Sequence, residues 1–280
     1  MKTEDKILAL IRETSSSLPD DVEKAILKAM RREEKGSSAK MILKTILDNC
    51  ALARENVTPL CQDTGTLTFF VDSRLRKKVN RKVISEAARK ATEKGYLRKN
   101  CIDSVDGRSY DDNVAEGAPV IHYFEPESSD SKPTVTLIMK GGGSENMSRQ
   151  YSLPDSSLGA GRDLKGVEKC ILDAVVKTQG YGCAPGILGV CIGGDRATGY
   201  EIAKEQLLRG LADSSKDSRL AKMEKSILKK ANSLGIGPMG LGGKTTLLGV
   251  KIASRPRVPA SFFVTIAYMC WAGRRRTVEI

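Results

Sequence analysis

Three cysteines in this chain stand where a thiol could do chemistry. They are Cys61 in Pro59-Leu-Cys-Gln-Asp-Thr-Gly65, Cys183 in Gly180-Tyr-Gly-Cys-Ala-Pro-Gly186, and Cys270 in Tyr268-Met-Cys-Trp-Ala272. Soft thiolates on three separate loops could hold three irons of a cubane cluster. A fourth iron without a protein ligand could then take a substrate oxygen, with Gln62 and Asp63 beside it as hydrogen-bonding and acid/base groups. No C-x-x-C run occurs, so the surroundings of each cysteine carry this reading rather than the spacing.

Other motifs fail on context. Gly235-Ile-Gly-Pro-Met-Gly240 matches G-x-G-x-x-G, but a helical pattern precedes it and Pro238 interrupts it, so the strand–turn–helix setting is missing. Gly243-Lys244-Thr245 resembles the end of a P-loop, yet the required first glycine falls at Pro238. Asp63-Thr64-Gly65 resembles an aspartic-protease triplet with no second copy. His122, the only histidine, lies in a strand-like run and reads as a packed or edge residue, which removes Ser-His-Asp triads and the usual zinc sites. The run Lys140-Gly-Gly-Gly-Ser-Glu-Asn146 follows a strand. Its glycines let backbone approach a ligand or anion, the alternative being an ordinary turn. Cys101 has no supporting context and reads as a loop thiol.

The elements that must position these residues are a mixture of helices and strands, the α/β or mixed α+β class. A helical N-terminal region is followed by a mixed-sheet region with glycine-rich loops. Val22, Ala25, Ile26, Ala29 and Met30 form one helical face, and Met41, Ile42, Thr45, Ile46, Cys50 and Ala53 another. A third helix runs from about Arg81 to Lys94. Strands are expected at Thr66–Val71, Ala118–Phe124, Thr134–Met139, Ile187–Ile192, Thr246–Ala253 and Phe262–Met269. A helix from Asp163 to Thr178 and two between Tyr200 and Ala231 complete the set. Cys50, Cys170 and Cys191 fall on buried stripes and read as core thiols.

The 280 residues suffice for one large domain or two modest ones. The absence of a membrane-length apolar run or a signal-peptide pattern points to the cytoplasm. Seven cysteines are too few for a disulfide scaffold of this size. A net charge of +12 raises a nucleic-acid partner, but the charge is spread along the chain and aromatics are only 5%. A basic solvated surface, or one that draws in a small anion, fits better.

Taken together, Pro59-Leu-Cys-Gln-Asp-Thr-Gly65, Gly141-Gly-Gly-Ser-Glu-Asn146, Gly182-Cys-Ala-Pro185, Gly189-Val-Cys-Ile-Gly-Gly194, Gly237-Pro-Met-Gly-Leu-Gly-Gly243 and Pro259-Ala-Ser-Phe-Phe263 followed by Cys270-Trp-Ala272 resemble the α subunit, or N-terminal domain, of class I iron–sulfur fumarases and the related tartrate dehydratases. The resemblance runs nearly end to end and implies one catalytic domain over residues 1–280. It implies a hydro-lyase with a 4Fe–4S cluster on Cys61, Cys183 and Cys270. Gln62 and Asp63 would contact a dicarboxylate, with Asp63 a proton donor to the departing hydroxyl. Arg98 would bind a substrate carboxylate, and Gly142 would offer backbone to the substrate. The remaining catalytic groups would come from a β subunit, in a heterotetramer, with no membrane or nucleic-acid partner. Fumarate hydration to malate is the favoured activity, dehydration of a hydroxy-dicarboxylate such as tartrate the alternative, and an inactive cluster- or nucleic-acid-binding homologue a third. Arg257 and Val258 stand where the family has a substrate-holding histidine, which keeps the tartrate reading alive.

Overall fold

A computed structural model of the chain describes residues 2–126 and 128–280. Three helices come first, α1 (Thr3–Ser16), α2 (Asp20–Arg32) and α3 (Ser38–Asn56), followed by β1 (Thr66–Asp72) and α4 (Arg81–Glu93). A small hairpin, β2 (Cys101–Ile102) and β3 (Ser109–Tyr110), leads to β4 (Val120–Phe124) and β5 (Thr134–Lys140). The one-turn α5 (Gly142–Asn146) and β6 (Arg149–Ser152) precede α6 (Leu164–Thr178), β7 (Gly186–Gly193), α7 (Arg196–Gln206) and α8 (Ser218–Ser233). Three strands end the chain: β8 (Leu247–Arg255), β9 (Phe263–Met269) and β10 (Arg274–Glu279). The class is mixed α+β, with helices leading, as the sequence pattern requires. Among the described residues no helix is long and apolar enough to cross a membrane.

The chain divides into two compact units. The first comprises Met1–Pro19, Asp48–Gly142 and Ala272–Ile280. Its sheet has the order β10-β5-β1-β4, with β1 parallel to β4 and antiparallel to β5. Ile7, Leu10 and Ile11 of α1 and Ile84, Ala87 and Ala91 of α4 pack with Phe69, Val71, Leu137 and Met139 of the sheet. Each fully buried Ile or Phe contributes roughly 1.5–3 kcal/mol, so this core fixes the ends of β1 and β5. Those ends carry Cys61–Gly65 and Gly141–Gly142. His122 on β4 stacks on Phe70 with ring centroids 5.2 Å apart, a packed histidine as expected.

The second unit comprises Asp20–Leu47 and Gly143–Trp271. Its sheet has the order β6-β9-β7-β8, in which β7 runs parallel to β8 and antiparallel to β9. Every residue of β7 is buried, which explains its unbroken apolar run. On α6 the Asp163 side chain caps the helix by accepting from the Gly166 N–H at 2.7 Å, and Val167, Cys170, Ile171, Ala174 and Val175 face the core. Helix α7 lies so close on β7 that a Cβ at Gly189 would come 2.0 Å from the Ala203 carbonyl oxygen. Cys50, Cys170 and Cys191 are all buried. Burial pushes the Cys170 and Cys191 thiols up to about 11, which keeps them protonated and inert.

Four segments depart from the sequence reading. The Gly142–Asn146 stretch is a one-turn helix rather than a loop, and β6, β10 and the β2–β3 hairpin carry too little apolar alternation to be read in advance.

Candidate functional site

In the first unit, the segment from Leu60 to Gly65 is pinned at both ends. The Leu60 N–H donates to the Ser15 carbonyl at 2.9 Å and its carbonyl accepts from Asn49 Nδ2 at 3.0 Å. At the other end Gly65 has φ +79°, and a Cβ there would lie 2.5 Å from the Lys140 carbonyl group. Only glycine serves both demands. Between these anchors Thr64 is buried and its hydroxyl accepts from the Arg98 N–H at 3.1 Å. The buried Arg274 donates through Nη2 to the Asp63 carbonyl at 2.9 Å.

The Asp63 carboxylate is held from both sides. Its Oδ1 accepts from Asn100 Nδ2 at 3.1 Å and its Oδ2 from the Gly142 N–H at 2.6 Å. At Gly141 the approach is close, since a Cβ there would meet Asp63 Oδ2 at 2.7 Å, whereas one on Gly142 would lie 3.7 Å from it. The Gly142 N–H, expected to serve substrate, is thus engaged by Asp63. Two oxygens offer about four acceptor positions, so both donors leave room for a further partner.

Asn100 is itself placed by Asn113, a residue that sequence reasoning did not single out. Asn113 is buried with φ +60°, a conformation asparagine tolerates better than most residues. Its Oδ1 accepts from the Asn100 N–H at 2.8 Å, and its Nδ2 donates to the Arg98 carbonyl at 2.8 Å and the Thr92 hydroxyl at 3.0 Å. One buried amide therefore sets the course of Arg98–Asn100. Asp63, Asn100, Cys101, Asn113 and Gly142 line a cavity of about 370 Å³. Burial raises the Cys101 thiol, with Asp112 adding to the effect. Gln62 and Arg98 are exposed, and the Arg98 guanidinium has no ion pair among the described residues.

In the second unit, Cys183 and Cys270 are neighbours. The Trp271 N–H donates to the Cys183 carbonyl at 3.2 Å, and the Cys270 N–H to the buried Ser144 hydroxyl at 3.1 Å. Tyr268, 2% exposed, packs near them. Its hydroxyl is raised chiefly by burial, with the nearby Cys270 and Cys183 thiols contributing. The glycines around Cys183 exist for this ring: a Cβ on Gly182 would come 2.4 Å from Tyr268 Cε1, and one on Gly186 2.3 Å from its oxygen. Cys183 itself adopts φ +52°, sparsely populated for a residue with a Cβ and held by its surroundings. The Pro238–Gly240 turn braces the loop, with the Met239 N–H on the Ala184 carbonyl at 3.0 Å. That accounts for the glycine-rich run that mimicked a nucleotide motif. Likewise the Lys244 N–H, where a P-loop would receive phosphate, is taken by the Glu33 carboxylate at 2.9 and 3.0 Å.

Arg257 turns its guanidinium onto its own loop. It donates to the Val258, Pro259 and Ser261 carbonyls at 3.0–3.2 Å and stacks on Phe262. Val258 is exposed.

The three candidate metal ligands divide between the units, Cys61 in the first and Cys183 with Cys270 in the second. Among the described residues no group of three or more His, Cys, Asp or Glu is drawn together as a metal site. The donor chemistry nonetheless fits an iron–sulfur group. None of the three thiols is in a disulfide or fully buried, whereas three of the other four cysteines are core residues. Arg274 carries buried N–H groups without a partner beside the Cys61 loop, as an anionic group would require.

A family described as fumarate hydratase (Fumerase) matches residues 4–279. A provisionally named class I fumarate hydratase of Geobacillus stearothermophilus is 49% identical over the whole chain, which spans 55% of that relative's length. A provisionally named L(+)-tartrate dehydratase subunit alpha of Methanocaldococcus jannaschii is 36% identical, covering 100% of this chain and 98% of its own. The L(+)-tartrate dehydratase subunit alpha of Escherichia coli strain K12 is 30% identical over 95% of this chain and 86% of its own.

Proposed function

Because the chain belongs to the family of class I fumarate hydratases and L-tartrate dehydratases, as their α-subunit or N-terminal part, we propose that it is the cluster-carrying portion of a hydro-lyase that interconverts fumarate and malate. The observation that carries the reading is the Asp63 carboxylate. It is fixed by Asn100 and the Gly142 N–H in a cavity of mixed polar and apolar lining, two residues from the half-buried Cys61 thiol. Cys61, Cys183 and Cys270 would hold a 4Fe–4S cluster. Such a group, when bound, supplies a Lewis acid that polarises a substrate hydroxyl and carboxylate.

The chain's own residues do the rest. Arg98, exposed and without an ion pair among the described residues, receives a substrate carboxylate in the planar fork of its guanidinium. Gln62 adds a hydrogen bond from the same loop as Asp63. In dehydration the C–O bond breaks and Asp63 gives its proton to the departing hydroxyl, which leaves as water. In hydration it takes that proton back. Asn100 and Gly142 keep the carboxyl group oriented through both directions, so the reacting geometry is set before substrate arrives. The base that takes the carbon-bound proton lies on a β partner, the chain being one part of a heteromer. Seven free thiols suit a reducing compartment, the cytoplasm.

The test is anaerobic reconstitution of this chain, then assay with and without the partner on fumarate, malate and tartrate. About four irons per chain, with fumarate turnover only when the partner is present, is the expected result. Cys61→Ser, Cys183→Ser and Cys270→Ser should each prevent a stable cluster. Turnover of tartrate with none of fumarate would transfer the assignment to the tartrate dehydratases, the reading that the two subunit-alpha relatives favour. A chain that takes up no iron would end both readings.

A further inference from the structure

Arg274 is the largest fully buried side chain described in this protein, 1% exposed at the start of β10. Its Nη2 donates to the Asp63 carbonyl at 2.9 Å, while Nε and Nη1 are buried with no hydrogen-bond partner. Among the described residues no carboxylate lies within ion-pair distance of it. Arg74 pairs with Asp72 at 2.6 Å, and Arg209 with Asp213 at 2.7 Å and Glu224 at 3.0 Å. Arg149, Arg275 and Arg276 also carry a buried N–H without a partner, but each side chain is only half-buried, whereas Arg274 is wholly so. A guanidinium stripped of water, with two donors idle and no counter-ion, is among the costliest things a protein can bury. It persists where an anion completes it.

Its position says which anion. Arg274 grips the main chain two residues after Cys61 and follows Cys270 by four residues in sequence. A substrate carboxylate would need a cation open to solvent, as Arg98 is. A cluster bound through thiolates, Cys61 among them, would be negative, and such a charge would suit a cation that water cannot reach.

Resting on the cluster reading above, we infer that Arg274 is the fixed counter-charge of the cluster. It holds the Cys61–Asp63 loop by one hydrogen bond, and its charge favours the thiolate-bound, electron-accepting group over the empty site. Its role is positioning and electrostatic; it touches no reacting atom.

Two variants of the full chain, reconstituted with its partner, separate charge from hydrogen bond. Arg274→Gln keeps an amide donor for the Asp63 carbonyl and loses the charge, while Arg274→Lys keeps the charge and loses the fork. Three readouts are taken: the unfolding temperature of the cluster-free chain, the anaerobic rate of iron release to a chelator, and the cluster's reduction potential. Arg274→Gln should unfold, cluster-free, at or above the wild-type temperature, since an uncompensated charge is gone. Once loaded it should release iron roughly tenfold faster and shift to a more negative potential, because a neighbouring positive charge eases reduction. Arg274→Lys should stay near wild type in potential. Wild-type iron release and potential in Arg274→Gln would overturn the inference while leaving the cluster assignment intact. So would a loss of cluster-free stability in Arg274→Gln with unchanged potential, the mark of a purely structural arginine. A wild-type chain without iron would instead remove the reading beneath it.

Discussion

The Asp63 side and the Cys183–Cys270 side of this protein are held by different physics. Around Asp63 the contacts are hydrogen bonds between named polar atoms: Asn100 and Gly142 on the carboxylate, Arg274 on the carbonyl, Asn113 behind Asn100. Around Cys183, besides the hydrogen bonds of the Trp271, Cys270 and Met239 N–H groups, the distinguishing contacts are steric, with Gly182 and Gly186 folded against the Tyr268 ring and Gly180 against the Met239 carbonyl. The first arrangement fixes the direction of a charge; the second fixes the place of a thiol. Substitutions on the Asp63 side should therefore damage rate before stability. Those on the Cys183 side should damage stability and cluster retention together.

Asp63→Asn is the sharpest probe of this contrast. An amide cannot donate the catalytic proton, and its NH₂ would face either the Asn100 or the Gly142 donor, costing one hydrogen bond. Turnover should fall by about 10²–10⁴-fold, while iron content stays at the wild-type level. Undiminished turnover would remove Asp63 from the chemistry and leave its hydrogen bonds merely structural.

Gly182→Ala probes the other side. The new methyl would meet Tyr268 Cε1 at 2.4 Å and Thr178 Cγ2 at 2.6 Å, both in packed surroundings. A loss of roughly 2–3 kcal/mol is expected, visible as a lower unfolding temperature, with poorer iron retention. If the variant kept its stability but lost rate alone, the division between the two sides would be wrong.

The same contrast explains what could be read in advance. The core thiols Cys50, Cys170 and Cys191, the β7 run and the capped α6 were legible because each is a local pattern: an apolar stripe, an apolar string, an Asp163 before a helical stripe. The strand β10 was not, because Arg274-Arg-Arg-Thr-Val-Glu279 has no apolar alternation and is a strand through its antiparallel pairing with β5. Asn100 and Asn113 were invisible for a related reason. Their value lies in whom they touch, Asp63 in one case and Arg98 in the other, and no spacing encodes that. The triple glycine was recognised as a place of close approach, yet the anion that approaches is Asp63 of the same chain. Arg257, near where a family histidine was expected, turns its cation onto its own loop, an engagement that its place in the sequence does not announce.

Cys170→Ser tests whether the division into core thiols and ligand thiols is right. The side chain lies among Val167, Ile171 and Ala174 in the second unit's core, and its high thiol pKa of about 11 comes first from burial. A hydroxyl in that place needs a partner that apolar neighbours do not supply, so a loss of about 1–3 kcal/mol is expected. Iron content and turnover should not change. Loss of iron without loss of stability would make Cys170 a ligand after all.

The smallest effect should come from Asn100→Ala, and it is the most discriminating. Asp63 keeps the Gly142 N–H and loses only the 3.1 Å contact from Asn100, so its carboxyl group gains rotational freedom without leaving the cavity. A fall in kcat of about three- to tenfold at unchanged KM is expected, since a group that orients an acid acts on the transition state rather than on substrate binding. In an Asp63→Asn background the same change should add almost nothing, because the acid it orients is already gone. A rise in KM with kcat intact would instead place Asn100 against the substrate. The cavity would then be held by polar groups on one side for binding, and Asp63 would owe its orientation to Gly142 alone.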